Sequence, residues 1–292
     1  MPEGPEVRRE AQALARVLVD KPLVRVEYRV PRLARRARTL RDAHVVEVTS
    51  RGKALLIAWS NGLTHYSHNQ LYGEWRVVGT RQLPRVLAER APSVRVLIET
   101  TAHAAVLLSA TQIELLNARE LAKQPYLARL GPDVLDPSTT VSTVTSRLRH
   151  AAFARRSLAA LLLDQGFLAG LGNYLRSDIL HATGLRHETR PADLSDDAIA
   201  RLARAILRLP RQSLRLAGTT NDPALVRKLA AEGVDRNDRR FRVYGRTGLG
   251  CWTCATPIRR VDVGGRGIYF CPRCQPARSV GERDVPSRRG PV

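Results

Sequence analysis

The stretch CWTCATPIRRVDVGGRGIYFCPRC, residues 251–274, holds every cysteine of a 292-residue chain. Its two Cys-x2-Cys pairs, Cys251/Cys254 and Cys271/Cys274, lie sixteen residues apart. Each short turn can present two thiolates to one metal, and tetrahedral Zn²⁺ is satisfied by two such turns. One structural Zn²⁺ is therefore expected, with no coordination position left for a reactive water. A redox or disulfide role is the other reading of the same four thiols. Between the pairs, Ile258–Val263 and Ile268–Phe270 are β-like and flank Gly264-Gly265-Arg266-Gly267. That pattern predicts a hairpin with Arg266 at its tip, where neighbouring glycines let backbone approach a phosphate. An ordinary solvated turn arginine would look the same.

Working outward, the segment 141–217 before this module is helical in pattern. Ser157–Asp164 is rich in Leu and Ala, Asn173–Thr183 follows, and Ser195–Leu209 starts from a good N-cap residue. Residues 218–240 are polar, with a loop or short helix expected around Ala224–Ala231. Further back the texture changes. From about 23 to 116 short β-rich runs recur, among them Val24–Val30, Val45–Thr49, Ala54–Trp59, Val94–Glu99 and Ala105–Leu108. Turn signals such as Asn61-Gly62 and Ala91-Pro92 separate them, as in a β-sandwich or barrel. Residues 3–19 read as an amphipathic helix with Val7, Leu14, Val17 and Leu18 on its buried face. The Pro- and Asp-rich stretch 131–138 reads as an interdomain linker. The fold class is α+β and multidomain, divided as 2–130, 131–240 and 241–275, with a flexible polar tail at 276–292.

Charge narrows the partners. The chain carries 48 Lys+Arg against 27 Asp+Glu, a net +21. A GC-rich genome would explain why only Lys21, Lys53, Lys123 and Lys228 are lysines, but not the excess of base over acid. Neutralising phosphates releases counterions, so a nucleic acid is the natural polyanion; acidic membranes or proteins are the alternatives. No apolar run reaches the ~20 residues needed to span a bilayer. The N-terminus lacks the order of a signal peptide, and the four clustered cysteines do not suit a secreted disulfide scaffold. A cytoplasmic, nucleoid-associated protein is expected.

The N-terminus Met1-Pro2-Glu3-Gly4-Pro5-Glu6 carries chemistry of its own. Removal of Met1 would leave Pro2 as a secondary amine. An α-amino group titrates near ~8, so a useful fraction is neutral and nucleophilic at neutral pH. Attack on a sugar C1′ gives a cationic iminium, a ready electron sink, and Glu3 beside it can act as general acid–base. Pro and Glu also simply suit a helix start.

Motifs spread along the chain are similar to those of the formamidopyrimidine-DNA glycosylase / endonuclease VIII family, on the endonuclease VIII side. They are Met1–Glu6, Arg51-Gly52-Lys53-Ala54-Leu55-Leu56 and Tyr66-Ser67-His68-Asn69-Gln70-Leu71-Tyr72-Gly73. Then come residues 127–133, Leu161-Leu162-Leu163-Asp164-Gln165, Gly170-Leu171-Gly172-Asn173-Tyr174-Leu175 and the cysteine hairpin. The resemblance is collinear over about 1–275.

It implies an N-terminal β-sandwich with a leading helix, a helix–two-turn–helix DNA-binding domain and a zinc-finger hairpin. It also implies a monomer acting on double-stranded DNA with oxidised bases or abasic sites. The implied reaction is base excision followed by β,δ-elimination. Pro2 would be the Schiff-base nucleophile and Glu3 the proton donor that helps open the sugar. Lys53 would serve β-elimination and Arg266 δ-elimination. Gln70, Arg129 and Asn173 would contact DNA, and Gln70-Leu71-Tyr72 would fill the gap left by a flipped base. The contiguous trio points to oxidised pyrimidines. Oxidised purines, a non-catalytic damaged-DNA-binding protein and a zinc-ribbon RNA binder are the alternatives.

Read without the resemblance, Lys53 is a solvated strand lysine, and Leu71 and Tyr72 are core. His65 and His68 form an H-x2-H pair on an extended segment without further ligands nearby and read as structural. Three features depart from the family pattern: Asp178 stands where Glu is usual, 219–240 is long, and the tail beyond Cys274 has no counterpart.

Overall fold

The computed structural model describes residues 2–277. They divide into two compact units: residues 2–135 with Leu168–Gly170, and Asp136–Phe167 with residues 171–277. The tail expected at 276–292 lies almost wholly outside the described residues.

The first unit opens with α1 (Gly4–Leu18), close to the expected 3–19. Val7, Ala11, Leu14 and Leu18 are buried at helical spacing, while Val17 is only partly covered. Eight strands follow: β1 (Leu23–Tyr28), β2 (Val45–Arg51), β3 (Ala54–Trp59), β4 (Thr64–His68), β5 (Glu74–Gly79), β6 (Val94–Thr100), β7 (His103–Leu108) and β8 (Gln112–Leu116). They form two antiparallel four-stranded sheets, ordered β1-β6-β7-β5 and β2-β3-β4-β8.

The period of two decides what faces what. Leu55, Ile57 and Trp59 of β3, Val96 and Ile98 of β6, Ala105 and Leu107 of β7, and Ile113 and Leu115 of β8 share one core with α1. The opposite faces are covered too. Leu97, Ala104, Val106 and Leu108 pack with Leu83 and Leu87 of the helix Leu83–Arg90. Ala54, Leu56 and Tyr66 pack with Leu127 of the helix Pro125–Ala128. Strands buried on both faces read as continuous apolar runs, which is why β3, β6 and β7 were legible.

In the second unit the helix Asn173–Thr183 is buried along almost its whole length and packs against the helix Asp196–Arg215 and the cysteine hairpin. It ends on Gly184 at φ +69°, the left-handed residue that closes a helix. The long helix starts where expected, with Ser195 Oγ accepting from Ala198 N at 3.3 Å. It runs past Leu209 because Pro210 is accommodated inside it. The segment Leu158–Leu161 is a single short helix, and the turn Asp164–Phe167 follows before Asn173.

The hairpin is β9 (Arg259–Val263) and β10 (Arg266–Phe270), paired Arg266 to Val263. Gly264 and Gly265 form its tip, both with positive φ, as a two-residue primed turn requires. Arg266 is thus the first residue of β10 rather than the tip itself. In residues 219–240 the chain forms the helices Pro223–Ala231 and Arg236–Arg239. The base of this excursion is closed by Thr220 N and Asn221 N, which donate to Arg240 O at 3.0 and 3.1 Å.

Candidate functional site

In the first unit the chemistry-bearing residues lie on turns that other parts of the chain hold in place. Pro2 is half-buried, directly ahead of α1. Glu3 is buried, and Glu6 reaches back to accept from Glu3 N at 3.1 Å, part of a reciprocal capping box. Gly4 N donates to Gly170 O at 2.8 Å. A Cβ on Gly4 would stand 2.9 Å from Gly170 Cα, so backbone meets backbone here and only glycine fits. The helix start, and with it Pro2, is seated on residue 170.

Lys53 is buried in the two-residue turn Gly52-Lys53 joining β2 to β3. Gly52 takes φ +59° at the first turn position, where a hairpin of this length needs glycine. Two side chains grip the turn. Gly52 N donates to Asp133 Oδ2 at 2.8 Å, and Lys53 N donates to Tyr126 Oη at 2.9 Å. Sequence reasoning gave no role to Tyr126, whose type and spacing carry no signal for such a bond.

His68, at the end of β4, meets the Tyr126 ring edge-on at 5.0 Å between centroids. Its imidazole is pushed down to about 4, first by burial and then by the positive charges of Lys53 and Arg129. It is neutral at pH 7, and its Nδ1 accepts from Gln70 N at 3.1 Å. Gln70 is exposed, and its Oε1 accepts from Thr111 Oγ1 at 2.9 Å, which leaves the amide N–H groups to donate elsewhere. Leu71 and Tyr72 are 59% and 75% exposed, so neither belongs to the core. Arg129 is exposed, with its guanidinium 5.8 Å from the Tyr126 ring centre. His68, Gln70, Gln112, Glu114, Tyr126 and Arg129 line one cavity of about 640 Å³. The structure thus brings Lys53, Gln70, Arg129 and the neutral His68 into one region of this unit.

His65 and His68 do not share a metal. Three residues apart on a strand, they point to opposite faces. His65 is buried between the sheets, where Tyr28 Oη lies 3.0 Å from its Nδ1 and burial holds it down to about 3.

The second unit carries the cysteines. All four Sγ atoms lie within 4.8 Å of one another; Cys254 and Cys271 are 3.4 Å apart, and Cys251 and Cys274 3.8 Å. A tetrahedron with Zn–S of about 2.3 Å has S···S edges of about 3.8 Å, so the donor set fits Zn²⁺. None of the four is in a disulfide. His181 Nε2, from the helix Asn173–Thr183, lies 3.4 Å from Cys251 Sγ and orients that ligand.

Asn173 sits in the first turn of its helix, but its side chain is engaged locally. Nδ2 donates to Gly267 O at 2.8 Å, and Oδ1 accepts from Arg176 Nη2 at 2.6 Å. Asn173 therefore fixes the residue after Arg266, which is itself exposed. Arg176 is fully buried and adds a bond to Ala159 O at 3.1 Å.

Asp178, on the helix Asn173–Thr183, proves to be a hub. Its Oδ1 accepts from Val243 N and Tyr244 N at 3.0 and 3.2 Å. Its Oδ2 accepts from Arg242 N at 3.0 Å and from the Thr220 hydroxyl. The shorter carboxylate reaches four donors and fixes the chain on both sides of 220–242.

Comparisons with known proteins follow this layout. Residues 1–123 match the formamidopyrimidine-DNA glycosylase N-terminal domain, and residues 130–223 the formamidopyrimidine-DNA glycosylase H2TH domain. Residues 248–277 match a zinc finger found in FPG and IleRS. Endonuclease 8 of Escherichia coli O17:K52:H18 is 42% identical over 280 residues, covering 94% of this chain and 100% of that protein. Endonuclease 8 of Klebsiella pneumoniae strain 342 is 42% identical over 278 residues with the same coverage. The fold is similar to that of Lactococcus lactis Fpg bound to DNA containing an abasic site, with a TM-score of 0.76 and 22% identity over 94% of this chain and 99% of that one. A complex of the same enzyme with DNA containing an oxidised pyrimidine gives a TM-score of 0.77 at 22% identity, covering 94% and 100%. No helix among the described residues is long and apolar enough to cross a membrane. Matched from its first residues to its zinc finger, the chain belongs to the formamidopyrimidine-DNA glycosylase / endonuclease VIII family.

Proposed function

We propose that this protein is a bifunctional DNA glycosylase/AP lyase that removes oxidised pyrimidines and cleaves the resulting abasic site by β,δ-elimination. The observation that carries the reading is the N-terminus: Pro2 heads a helix whose first turn is capped by Glu3 and Glu6 and seated on Gly170. An amine presented by a rigid element is what nucleophilic catalysis needs. With Met1 removed, the Pro2 nitrogen attacks C1′ and the base departs. Glu3 donates the proton that helps open the sugar. The iminium then withdraws electrons as C2′ gives up a proton and the C3′–O bond breaks, releasing that phosphate; in a second elimination C4′ gives up a proton and the C5′–O bond breaks.

Lys53 serves proton transfer in the first elimination. Arg266 stabilises the departing phosphate through its charge, since a guanidinium stays protonated. Gln70, Leu71 and Tyr72 fill the gap in the duplex: two large apolar side chains held in water beside an amide suit insertion between bases. Arg129 and the helix start at Asn173 contact the DNA backbone. The zinc is structural, since four thiolates leave it no open position. The place of action is the cytoplasm, at the nucleoid.

Borohydride trapping on abasic duplex DNA, with peptide mapping of the adduct, tests the reading. The expected adduct maps to the Pro2 nitrogen. No adduct, or a mature chain that retains Met1, overturns it. Excision of thymine glycol is expected to exceed that of 8-oxoguanine; the reverse order would assign oxidised purines.

A further inference from the structure

The segment between β4 and β5, residues 69–73, carries the exposed Gln70, Leu71 and Tyr72, and it hangs from one buried side chain. Asn69 is buried, and its backbone O accepts from Gly73 N at 2.7 Å, which closes the loop. A Cβ on Gly73 would stand 2.7 Å from Asn69 Cα, and Gln70 turns through φ +48°. In a loop this tight, where Asn69 sits decides where the next three side chains point.

Asn69 itself is held from outside the loop. Its Nδ2 donates to Glu10 Oε2 at 2.7 Å, the short distance of a bond to a charged acceptor, while its Oδ1 is buried with no hydrogen-bond partner among the described residues. Glu10 stands one turn beyond Glu6 on α1, the helix that presents Pro2.

We propose that Glu10 is a positioning residue for the reaction: through Asn69 it fixes the 69–73 loop in the attitude that lets Gln70, Leu71 and Tyr72 enter the duplex. The proposal rests on the function given above. Glu10 acts through Asn69, from its place on α1.

The surroundings of Glu10 make this hold sensitive to pH. Glu6 and Arg9 face it from its own helix, Glu74 from β5 and Asn69 from the loop. Its carboxyl is pushed up to about 7, chiefly by burial and then by the charges of Glu74 and Glu6, against the opposing Asn69 bond and Arg9. The ionised form is the stronger acceptor for Asn69, and it predominates above about pH 7. As pH falls through that value the carboxyl gains a proton and the hold on Asn69 weakens.

Two substrates separate this role from a general defect in the enzyme. Excision of thymine glycol from a duplex needs the gap filled; cleavage of a preformed abasic site in single-stranded DNA does not. Glu10→Ala is expected to slow duplex excision about tenfold, the scale of one charge-assisted hydrogen bond, and to change single-strand cleavage less than about twofold. Glu10→Gln, whose neutral amide accepts from Asn69 more weakly than a carboxylate, is expected to restore part of the duplex rate. In the wild type the ratio of duplex to single-strand rates should rise from about pH 6 to about pH 8, and Glu10→Gln should flatten that rise. Equal losses on both substrates, or no loss on either, overturn the proposal.

Hydrogen exchange at the Gly73 amide gives a readout independent of activity. It should quicken most in Glu10→Ala and less in Glu10→Gln; unchanged exchange in Glu10→Ala overturns the proposal. A wild-type protein that cleaves neither substrate would refute the function, while the exchange experiment would still decide the positioning role.

Discussion

Two hairpins of this protein use the same local device and are secured in different ways. The β2–β3 turn Gly52-Lys53 and the β9–β10 turn Gly264-Gly265 are both two-residue connections, and each delivers a cation, Lys53 or Arg266. The first is anchored by neutral and anionic oxygens, Tyr126 Oη and Asp133 Oδ2, acting on backbone N–H groups. The second is anchored by four thiols suited to zinc and by the Asn173 amide on Gly267 O. The sandwich buries apolar surface on both faces of β3, so its tip is held without a metal. The 24-residue cysteine module has little core of its own, and a metal replaces it.

Removing the metal should break this comparison most sharply. In Cys271→Ser, or after chelation, zinc binding worth on the order of 10 kcal/mol in such modules is lost. Amide exchange across Arg259–Phe270 should rise to that of an open chain, while β2 and β3 stay protected. Loss of protection in both hairpins would refute the contrast. Asp178→Ala comes next. It strands three backbone N–H groups and leaves the Thr220 hydroxyl only the longer bond to Arg240 O, at a cost of about 3–5 kcal/mol in denaturant unfolding.

The tip of the first hairpin offers smaller, separable effects. Gly52→Ala meets both a left-handed φ and the Tyr126 hydroxyl at 2.8 Å, and should cost about 1–3 kcal/mol. Tyr126→Phe removes one bond to Lys53 N, about 1 kcal/mol. The double variant should cost less than the sum, because the hydroxyl that obstructs the added methyl group is gone. The smallest effect is a pH slope. His68 is held below its ordinary value, so its contribution is complete above about pH 6.5 and is lost as pH falls through about 4. Unfolding measured across that window should show the slope in the wild type and not in His68→Gln.

The fold was legible in the sequence where chemistry and periodicity agree. The cysteine spacing, α1 and the apolar strands β3, β6 and β7 needed nothing beyond residue type and period. β5 and β8 drew no reading of their own, and β4 was read only as an extended segment carrying His65 and His68. β4 reads Thr-His-Tyr-Ser-His, yet it is an inner strand of its sheet, and two of its buried polar atoms meet partners in the core: His65 Nδ1 lies beside Tyr28 Oη, and Ser67 Oγ accepts from Trp75 Nε1. No local pattern announces such pairs, because the partners lie on other strands. The same holds at the candidate site. Pro2, Lys53 and Gln70 stood out through family resemblance, but the groups that hold them did not. Tyr126, Asp133 and the Gly4–Gly170 contact are pairings between distant positions, and sequence shows each member without its partner. Leu71 and Tyr72 illustrate the converse: their composition suggests a core, and only the loop's geometry puts them in water.

The seat of Gly4 on Gly170 has a consequence for the order of synthesis. Residues 2–135 emerge from the ribosome before Leu168–Gly170, the short return that completes the same unit. At a translation rate of about 5–20 residues per second, the sandwich waits roughly 2–7 s for that return. Throughout this interval the proposed amine has no backbone at residue 170 to rest on. The first functional group to be made is among the last to be placed, so a nascent chain can hold a folded sandwich and still be unarmed.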